Sequence, residues 1–442
     1  MHWLTRLMLT ILLVGLPQMA GAQTSESWVV SWTAAAQGPY PSGNASAQPD
    51  QRFAFPAPSA GAENQTFRLI VRPGLWGSQA RLRLTNVFGT KPVTFDGVYV
   101  GLQLGAARLV KGTNRPVKFA GQDSVTVAPG ASVWSDPVAL AFVHDTAAVE
   151  LMGRKLAVSL HVAGESGPMT WHAKALQTSY VSSPRSGPKG ASEDEAEFPY
   201  STSSWFFLDA LEMLAPPGSF AVVAFGDSIT DGTSSTMNGD DRWPDVLARR
   251  LQAIYGNSAA VVNSGIGGNQ VIGPSEYTPQ KPFLGGPSAR MRIDRDVIEL
   301  SGVSAMIWLE GINDYSRNGN ASVESVIDGM KDVVGRIRAK RPQLRVLGAT
   351  VLTALGSSSA AHGFAEQDQK RRALNDFIRK SGLFDGVVDF DAVTFEAQTG
   401  GLKAEFIPES TTGGPGDRLH PNRAGYLAMG MAIDLGLLKP AR

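Results

Sequence analysis

Cysteine is absent from the 442-residue chain. Disulfides, thiolate metal sites and a lipid anchor on an N-terminal cysteine are therefore excluded. Because no covalent cross-link is available, we expect packing to supply the stability of the fold.

Apolar runs long enough to cross a bilayer are missing as well. The run from Leu7 to Leu16 has about ten residues, roughly half of what a membrane helix needs. It follows Arg6 and precedes the small residues Ala20 to Ala22, a pattern typical of a cleavable secretory signal. We therefore expect residues 1–22 to be a signal peptide and the mature protein to be exported, periplasmic or extracellular, without a stable membrane anchor.

An excess of charge of either sign is lacking too, since 40 basic residues face 40 acidic ones. This balance argues against nucleic acid or an anionic membrane as the main partner. The one conspicuous charge cluster, Glu193 to Glu197, is interpreted as a solvated loop, with a cation site as the alternative.

The first half of the chain has the pattern of an all-β domain. In the segment "ARLRLTNVF" the apolar residues Leu82, Leu84 and Val87 are separated by polar ones, and "RKLAVSLHVAG" repeats the alternation. Period-two alternation with Gly, Pro and Asn between the runs is typical of antiparallel strands. The sequence predicts a β-sandwich or jelly-roll domain over residues 23–217.

The second half, residues 218–442, alternates short apolar runs with helical patterns. Apolar residues share one face in two predicted helices: Val246, Leu247, Leu251 and Ile254 in the first, and Val323, Ile327, Met330, Val334 and Ile337 in the second. Alternating strands and helices predict an α/β domain, a three-layer, doubly wound parallel sheet of flavodoxin-like type. In such sheets the ligand site lies at the carboxyl ends of the strands.

Polar residues follow the predicted strands at that edge. Ser228 comes just after "AVVAF" on a turn opened by Gly226; the loop "NSGIGGNQ" follows the next strand, and "EGINDY" the third. Each has an ordinary structural explanation, because Ser and Asp cap helices and Gly, Asn and Asp favour turns.

Asp417 and His420 lie near the end of the chain in "GDRLHPNRAGY", where Pro421 is expected to open the last helix. Their spacing allows the carboxylate to accept a hydrogen bond from one ring nitrogen while the other faces outward as a base. A lone histidine is more often structural, but the other histidines of the mature chain have no acid placed in this way.

Taken together, the four segments resemble the SGNH/GDSL hydrolase family over residues 219–438. The segment "GDSI" carries the first family block through Ser228, with Ile229 in place of the leucine of the family name. The segment "SGIGGN" carries the second through Gly268, "GIND" the third through Asn313, and "DRLHP" the last through Asp417 and His420. The first half of the chain looks like the β domain of a secreted esterase/acylhydrolase branch.

The resemblance implies a Ser-His-Asp esterase. Ser228 would be the nucleophile, His420 the base and Asp417 the group that orients it. The N–H groups of Ser228 and Gly268 and the amide of Asn313 would form the oxyanion hole. Supporting roles would fall to the neighbouring polar residues Asp227, Asn269 and Asp314.

The expected reaction is hydrolysis of carboxylic esters, with short acyl groups such as acetyl on carbohydrate, or small aryl and alkyl esters, as leading substrates. Activity should fall in acid, where a histidine becomes protonated. No metal or other cofactor is expected, and the oligomeric state is left open. The alternatives are a lipase or lysophospholipase, an acyltransferase that uses the same residues, and a carbohydrate-binding protein with a vestigial hydrolase domain.

Overall fold

The computed structural model describes residues 26–44 and 49–438. The expected signal peptide, residues 1–22, lies outside the described residues. Within the two described ranges, no helix has both the length and the apolar character needed to cross a membrane.

Antiparallel strands make up the first half. In chain order they are β1 (Ser27–Thr33), β2 (Glu63–Val71), β3 (Gln79–Thr85), β4 (Val93–Asp96), β5 (Val98–Gly105), β6 (Arg108–Leu109), β7 (Arg115–Val117), β8 (Ser124–Val127), β9 (Ser132–Trp134), β10 (Val138–Ala139), β11 (Leu156–Glu165), β12 (Trp171–His172), β13 (Ser179–Val181), β14 (Tyr200–Thr202), β15 (Trp205–Phe206) and β16 (Leu208–Ala215). One sheet has the order β1-β16-β3-β10, and a larger one has the order β14-β13-β2-β11-β4-β8. The strand-rich character matches the expected β domain, while its jelly-roll form stays a prediction.

The second half contains a parallel sheet with helices between its strands. The strands are β17 (Phe220–Gly226), β18 (Ala259–Gly265), β19 (Val303–Leu309), β20 (Arg345–Ala349) and β21 (Gly386–Val388). The helices are α1 (Ser228–Asp231), α2 (Trp243–Tyr255), α3 (Ala289–Ile293), α4 (Val323–Lys340), α5 (Ala365–Lys380), α6 (Phe390–Thr394) and α7 (Arg423–Ala432), and a π-helical turn, Asp294–Ile298, continues α3. Short 3₁₀ turns occur at Val149–Leu151, Gly256–Ser258, Ala404–Phe406 and Leu435–Leu438.

The strand order of this sheet is β18-β17-β19-β20-β21, with parallel pairing throughout. Successive residues of β17 point to opposite faces: Val222 and Ala224 pack with α2, α6 and α7, whereas Val223 and Phe225 belong to the cluster that contains α4 and α5. The predicted doubly wound α/β fold is therefore confirmed for this half.

A continuous hydrophobic cluster joins the two halves. It contains Val29 and Leu82 of the antiparallel sheets together with Val223, Met306 and Val333 of the α/β half. The antiparallel strands end at Ala215 and the parallel sheet starts at Phe220, so the predicted boundary at 217/218 falls in the intervening turn. The shared core places the β half directly against the parallel sheet.

Two local predictions were wrong. Ile254 does not share the buried face of α2, since its side chain is 61% exposed while Leu247 and Leu251 are fully buried. In the last turn of α2 the neighbouring residue Tyr255 packs on the sheet instead, with its ring centroid 5.3 Å from that of Phe220. The last helix begins at Arg423 rather than at Pro421, because Asn422 caps it through hydrogen bonds from the N–H groups of Ala424 and Gly425.

Candidate active site

Ser228 lies at the carboxyl end of β17, where it begins α1. Asp227 caps this short helix, and its carboxylate accepts a hydrogen bond of 3.0 Å from the N–H of Ile229. The turn requires glycine at position 226, because a Cβ there would lie 2.1 Å from the carbonyl oxygen of Leu309. The strand-to-helix junction therefore holds the Ser228 hydroxyl at the edge of the sheet.

Ser228, His420 and Asp417 form one hydrogen-bonded chain. Ser228 Oγ lies 2.7 Å from His420 Nε2, and His420 Nδ1 lies 2.6 Å from Asp417 Oδ2. Since the carboxylate can only accept, His420 carries a proton on Nδ1 and presents the lone pair of Nε2 to the serine hydroxyl. Ser228 belongs to the first motif and His420 to the last, 192 positions later in the chain. The fold therefore brings these two residues into contact.

The carboxylate of Asp417 is strongly held in its charged form. Its Oδ1 accepts hydrogen bonds of 2.9 Å from the N–H groups of Leu419 and His420. Burial alone raises the pKa of this carboxyl, but the hydrogen bond and charge of His420 and the two N–H groups outweigh it and lower the pKa below its usual range. Asp417 remains an anion over the whole range in which an imidazole titrates.

Three donors are expected to form the oxyanion hole. Among the described residues, the N–H groups of Ser228 and Gly268 donate no hydrogen bond. The amide of Asn313 donates one of its two protons to the carbonyl of Asn269, at 3.0 Å, and keeps the other. Gly268 has a φ of +85°, and a Cβ there would lie 3.2 Å from Gly285 Cα.

Two of the three residues that were expected to give support, Asp314 and Asn269, make hydrogen bonds within these loops. Asp314 accepts hydrogen bonds from the N–H groups of Val271 and Ile272, at 2.9 and 3.1 Å, which ties the loop after β19 to the loop after β18. The amide of Asn269 donates to the carbonyls of Gly285 and Pro287.

Arg292 is a buried arginine at the centre of this region that sequence reasoning missed. Its guanidinium, fully buried, donates to the carbonyls of Gly226 and Ser264 and to the side chains of Asn269 and Asp296, at 2.7 to 3.0 Å. It joins the ends of β17 and β18 to the glycine loop. Nothing in the segment "SARMRID" distinguishes it from a surface arginine.

Three buried carboxyl groups, those of Asp227, Glu310 and Asp314, interact with one another near the ends of β17 and β19. Burial raises the pKa of Asp227 and Glu310, and it raises the pKa of Asp314 to about 7; the neighbouring carboxyls act in the same direction for both aspartates. One Glu310 oxygen accepts a 2.7 Å hydrogen bond from the buried Trp308 Nε1. This part of the site favours protonated over charged carboxyls.

His362 is a second histidine near the triad. Its Nδ1 lies 2.8 Å from the side-chain amide of Gln367, which also donates to the carbonyl of Ile312, the residue before Asn313. Burial and then the charge of His420 lower the pKa of His362 to about 4, so the ring stays neutral above that pH.

Residues of the β half reach the same edge of the sheet. The ring of His172 lies 3.1 Å from a carboxylate oxygen of Asp231, and Lys174 donates a 2.7 Å hydrogen bond to the hydroxyl of Thr233. Lys174 Nζ and Asn44 also border Gly267, where an added Cβ would meet both at about 3.5 Å. Sequence reasoning missed these contacts, because nothing in the chain indicates which β-half residues face the sheet.

The hydrogen bonds and ion pairs of the acidic segment Glu193 to Glu197 join it to other residues of the β half. Glu195 pairs with Arg108 at 2.8 Å, Glu197 pairs with Lys189 at 3.0 Å, and Glu193 accepts from the N–H of Gly112. In the part of the chain that the structure describes, no group of three or more His, Asp or Glu side chains is placed to hold a metal ion.

Comparison with known proteins identifies the second half. Residues 224–428 match the family model of the GDSL-like lipase/acylhydrolase family. No curated protein matches the chain.

Several solved structures resemble it at low identity. Est24, a carbohydrate acetylesterase from Sinorhizobium meliloti, is 16% identical, with 48% of this chain and 96% of that chain covered and a TM-score of 0.37. The aryl esterase of M. smegmatis is 18% identical, with the same coverages and TM-score. A lipase/acylhydrolase from Enterococcus faecalis is 20% identical, covering 50% of this chain and 99% of its own, with a TM-score of 0.36.

The family match includes Ser228, Gly268, Asn313, Asp417 and His420, and it confirms the resemblance that the four motifs indicate. The chain therefore carries, at residues 224–428, a domain of the GDSL-like lipase/acylhydrolase family, and this domain is that of a carboxylic ester hydrolase.

Proposed function

We propose that the protein is an exported serine esterase that removes short acyl groups, acetyl above all, from carbohydrate or from small aryl and alkyl alcohols. The observation that carries the proposal is the chain of hydrogen bonds from Ser228 through His420 to Asp417, at 2.7 and 2.6 Å. In this arrangement a hydroxyl, a base and a charged acceptor stand in the order that acyl transfer needs.

In the first half of the reaction, Ser228 Oγ bonds to the ester carbonyl carbon while its proton passes to His420 Nε2. The carbonyl oxygen becomes an oxyanion, and the imidazolium is stabilised by Asp417. When the oxyanion collapses, the bond to the alcohol oxygen breaks and the alcohol leaves with the proton of His420. The product is an acyl-serine ester.

The second half repeats these steps with water. Water loses a proton to His420 as its oxygen bonds to the acyl carbon, and collapse returns that proton to Ser228 as the acid leaves. Each tetrahedral oxyanion needs donors, and the N–H groups of Ser228 and Gly268 with the amide of Asn313 are the groups assigned to it.

The polar character of the surroundings supports a small or hydroxylated substrate. Lys174 and Asn44 border Gly267, Lys174 donates to the hydroxyl of Thr233, and His362 lies near His420. Ser228 itself is only 5% exposed. A long acyl chain would instead be favoured by an extended apolar surface, whereas a sugar ring offers hydroxyls to such polar groups.

The test is hydrolysis of p-nitrophenyl esters from acetate to palmitate by the mature protein, with Ser228→Ala and Ser358→Ala beside it. Ser358 is exposed and close to Asp417, so its variant is a matched control for a serine outside the triad. We expect highest activity on acetate, loss of at least about 10³-fold in Ser228→Ala, and a change under about twofold in Ser358→Ala.

Other outcomes would redirect the assignment. Preference for palmitate would indicate a lipase, and acyl transfer to an added sugar faster than hydrolysis would indicate an acyltransferase. Silence on every ester, with glycan binding retained, would indicate a carbohydrate-binding protein.

A further inference from the structure

His172, on β12 of the β half, is buried and surrounded by oxygen atoms. Its Nδ1 lies 2.9 Å from the carbonyl oxygen of Ala35, and its Nε2 lies 3.1 Å from both Asp231 Oδ1 and the carbonyl oxygen of Lys174. Carbonyls and carboxylates only accept hydrogen bonds, so both ring nitrogens are satisfied when both carry protons. The geometry is that of an imidazolium paired with a carboxylate.

The charges around the ring agree with this state. Burial alone lowers the pKa of His172, but the charge and hydrogen bond of Asp231 and the two carbonyls outweigh it and raise the pKa. Lys174 and Arg242 are the other basic residues near Asp231: the Lys174 side chain donates to the hydroxyl of Thr233, and Arg242 donates to the backbone carbonyl of Asp231 at 3.5 Å. The ring also packs against Trp205, with ring centroids 5.5 Å apart.

Asp231 connects His172 to the loop that contains Gly267 and Gly268. It is the last residue of α1, three residues after Ser228, and its side chain is 2% exposed. While Oδ1 faces His172, Oδ2 accepts a 3.1 Å hydrogen bond from the N–H of Gly267. Gly267 directly precedes Gly268, whose N–H is assigned to the oxyanion.

We propose that His172 is a positioning residue, contributed by the β half, that orients Asp231 and thereby holds the Gly267–Gly268 loop in place for oxyanion binding. The inference rests on the proposed esterase function. His172 does not touch the substrate; it acts through a single carboxylate that bridges the nucleophile helix and the glycine loop. The β half is then a working part of the active site.

The test compares His172→Gln with His172→Asn. The glutamine amide can reach the position of Nε2 and donate to Asp231, whereas the shorter asparagine amide matches Nδ1 and can reach only Ala35. Both variants lose the imidazolium, and asparagine is also one methylene smaller than glutamine, so thermal unfolding of both variants controls for a merely structural effect.

We expect kcat of His172→Asn on p-nitrophenyl acetate to fall about 10- to 100-fold with KM changed less than about threefold, because a displaced oxyanion donor affects the transition state. His172→Gln should stay within about fivefold of wild type in kcat. Hydrogen exchange of the Gly267 amide should accelerate in His172→Asn and remain slow in His172→Gln.

A double-mutant cycle with Asp231→Ala tests the route. If His172 acts through Asp231, Asp231→Ala lowers kcat at least as much as His172→Asn, and adding the second change lowers it by less than about a further twofold. Additive losses would overturn the route through Asp231.

Equal kcat in the two His172 variants, or unchanged exchange at Gly267 in His172→Asn, would overturn the proposal. The exchange measurement needs no turnover. A wild-type protein that hydrolyses no ester but shows the exchange difference would therefore contradict the esterase assignment, while the His172–Asp231 contact to the loop would stand.

Discussion

The pairing of Asp417 with His420 is a local contact, and its spacing in the chain predicts it. Position 417 is three residues before position 420, and the carboxylate accepts from both the ring and the backbone of that histidine. The partner of this pair, Ser228, comes from the opposite end of the domain, and the 2.7 Å contact depends on the whole sheet. Residue identity predicts the chemistry, and the fold brings the atoms together.

A pH profile tests these roles. A histidine base must be neutral to accept the serine proton, so kcat/KM should fall in acid, with a limiting slope of about tenfold per pH unit. Asp417 does not contribute to this acid limb, because its pKa lies below its usual range. The measurement is kcat/KM of a neutral ester against pH.

His362→Gln is the control for that profile. Burial lowers the pKa of His362 to about 4, so this ring is already neutral where the limb is expected. The acid limb should therefore keep its position in His362→Gln. A limb that moved with His362 would contradict the assignment of His420 as the base.

Two adjacent glycines differ in how well they should tolerate a side chain. Gly268→Ala places a side chain at φ +85° and 3.2 Å from Gly285 Cα, whereas a Cβ at Gly267 meets its neighbours at an ordinary 3.5 Å. We expect kcat/KM to fall at least about tenfold in Gly268→Ala and less than about threefold in Gly267→Ala. The measurement is hydrolysis of p-nitrophenyl acetate, and equal losses would contradict a special role for position 268.

At the scale of elements, the strand-end loops are held by buried polar groups rather than by regular structure. Asp314 joins the loop after β19 to the N–H groups that follow β18, and Arg292 joins the ends of β17 and β18. Because the carboxyl of Asp314 is buried, its ionisation affects the stability of the fold.

The variant Asp314→Asn makes the effect of Asp314 ionisation on the free energy of unfolding measurable. Burial raises the pKa of Asp314 to about 7 in the folded protein, compared with about 3.9 in an unfolded chain. Between these values the unfolded chain releases the proton and the folded protein retains it, so the free energy of unfolding contributed by Asp314 decreases as pH rises and is lowest above pH 7. Asparagine does not titrate.

We therefore expect the stability of Asp314→Asn relative to wild type to increase between about pH 4 and pH 7, by a few kcal/mol. The measurement is denaturant unfolding of both proteins across this range. The absolute difference includes one lost acceptor, since an amide oxygen replaces two carboxylate oxygens, so only its change with pH counts. A difference that did not vary with pH would contradict the raised pKa.

At the scale of the whole molecule, the β half is joined to the α/β half by the core and by hydrogen bonds. Val30 N–H donates to the carbonyl of Ser301, and the buried pair Arg83–Asp209 lies beside the carbonyl of Arg295. The predicted boundary at 217/218 therefore separates two sequence patterns, the strand-rich and the alternating one. Residues on both sides of it belong to one apolar core.

Residues 218–442 expressed alone should consequently fold poorly. Removing the β half exposes apolar residues of the shared core and leaves Asp231 buried without His172. We expect this fragment to bind a hydrophobic dye and to lack a cooperative thermal transition, in contrast to residues 23–442. A soluble fragment that melts cooperatively near the temperature of the longer protein would contradict this view.

The sequence by itself determined the strand-rich character of the first half, the α/β fold of the second half and the residues of the proposed site. The reason is that the alternation of apolar and polar residues and the position of a residue at a strand end are local properties. It did not reveal that Ile254 is exposed, since periodicity alone does not show which residue of the last turn packs on the sheet. Only the tertiary structure decided that Arg292 joins the strand ends and that His172 reaches Asp231 from the other half. Such contacts depend on which surfaces pack together, and a buried arginine or histidine has no local signal that distinguishes it from an exposed one.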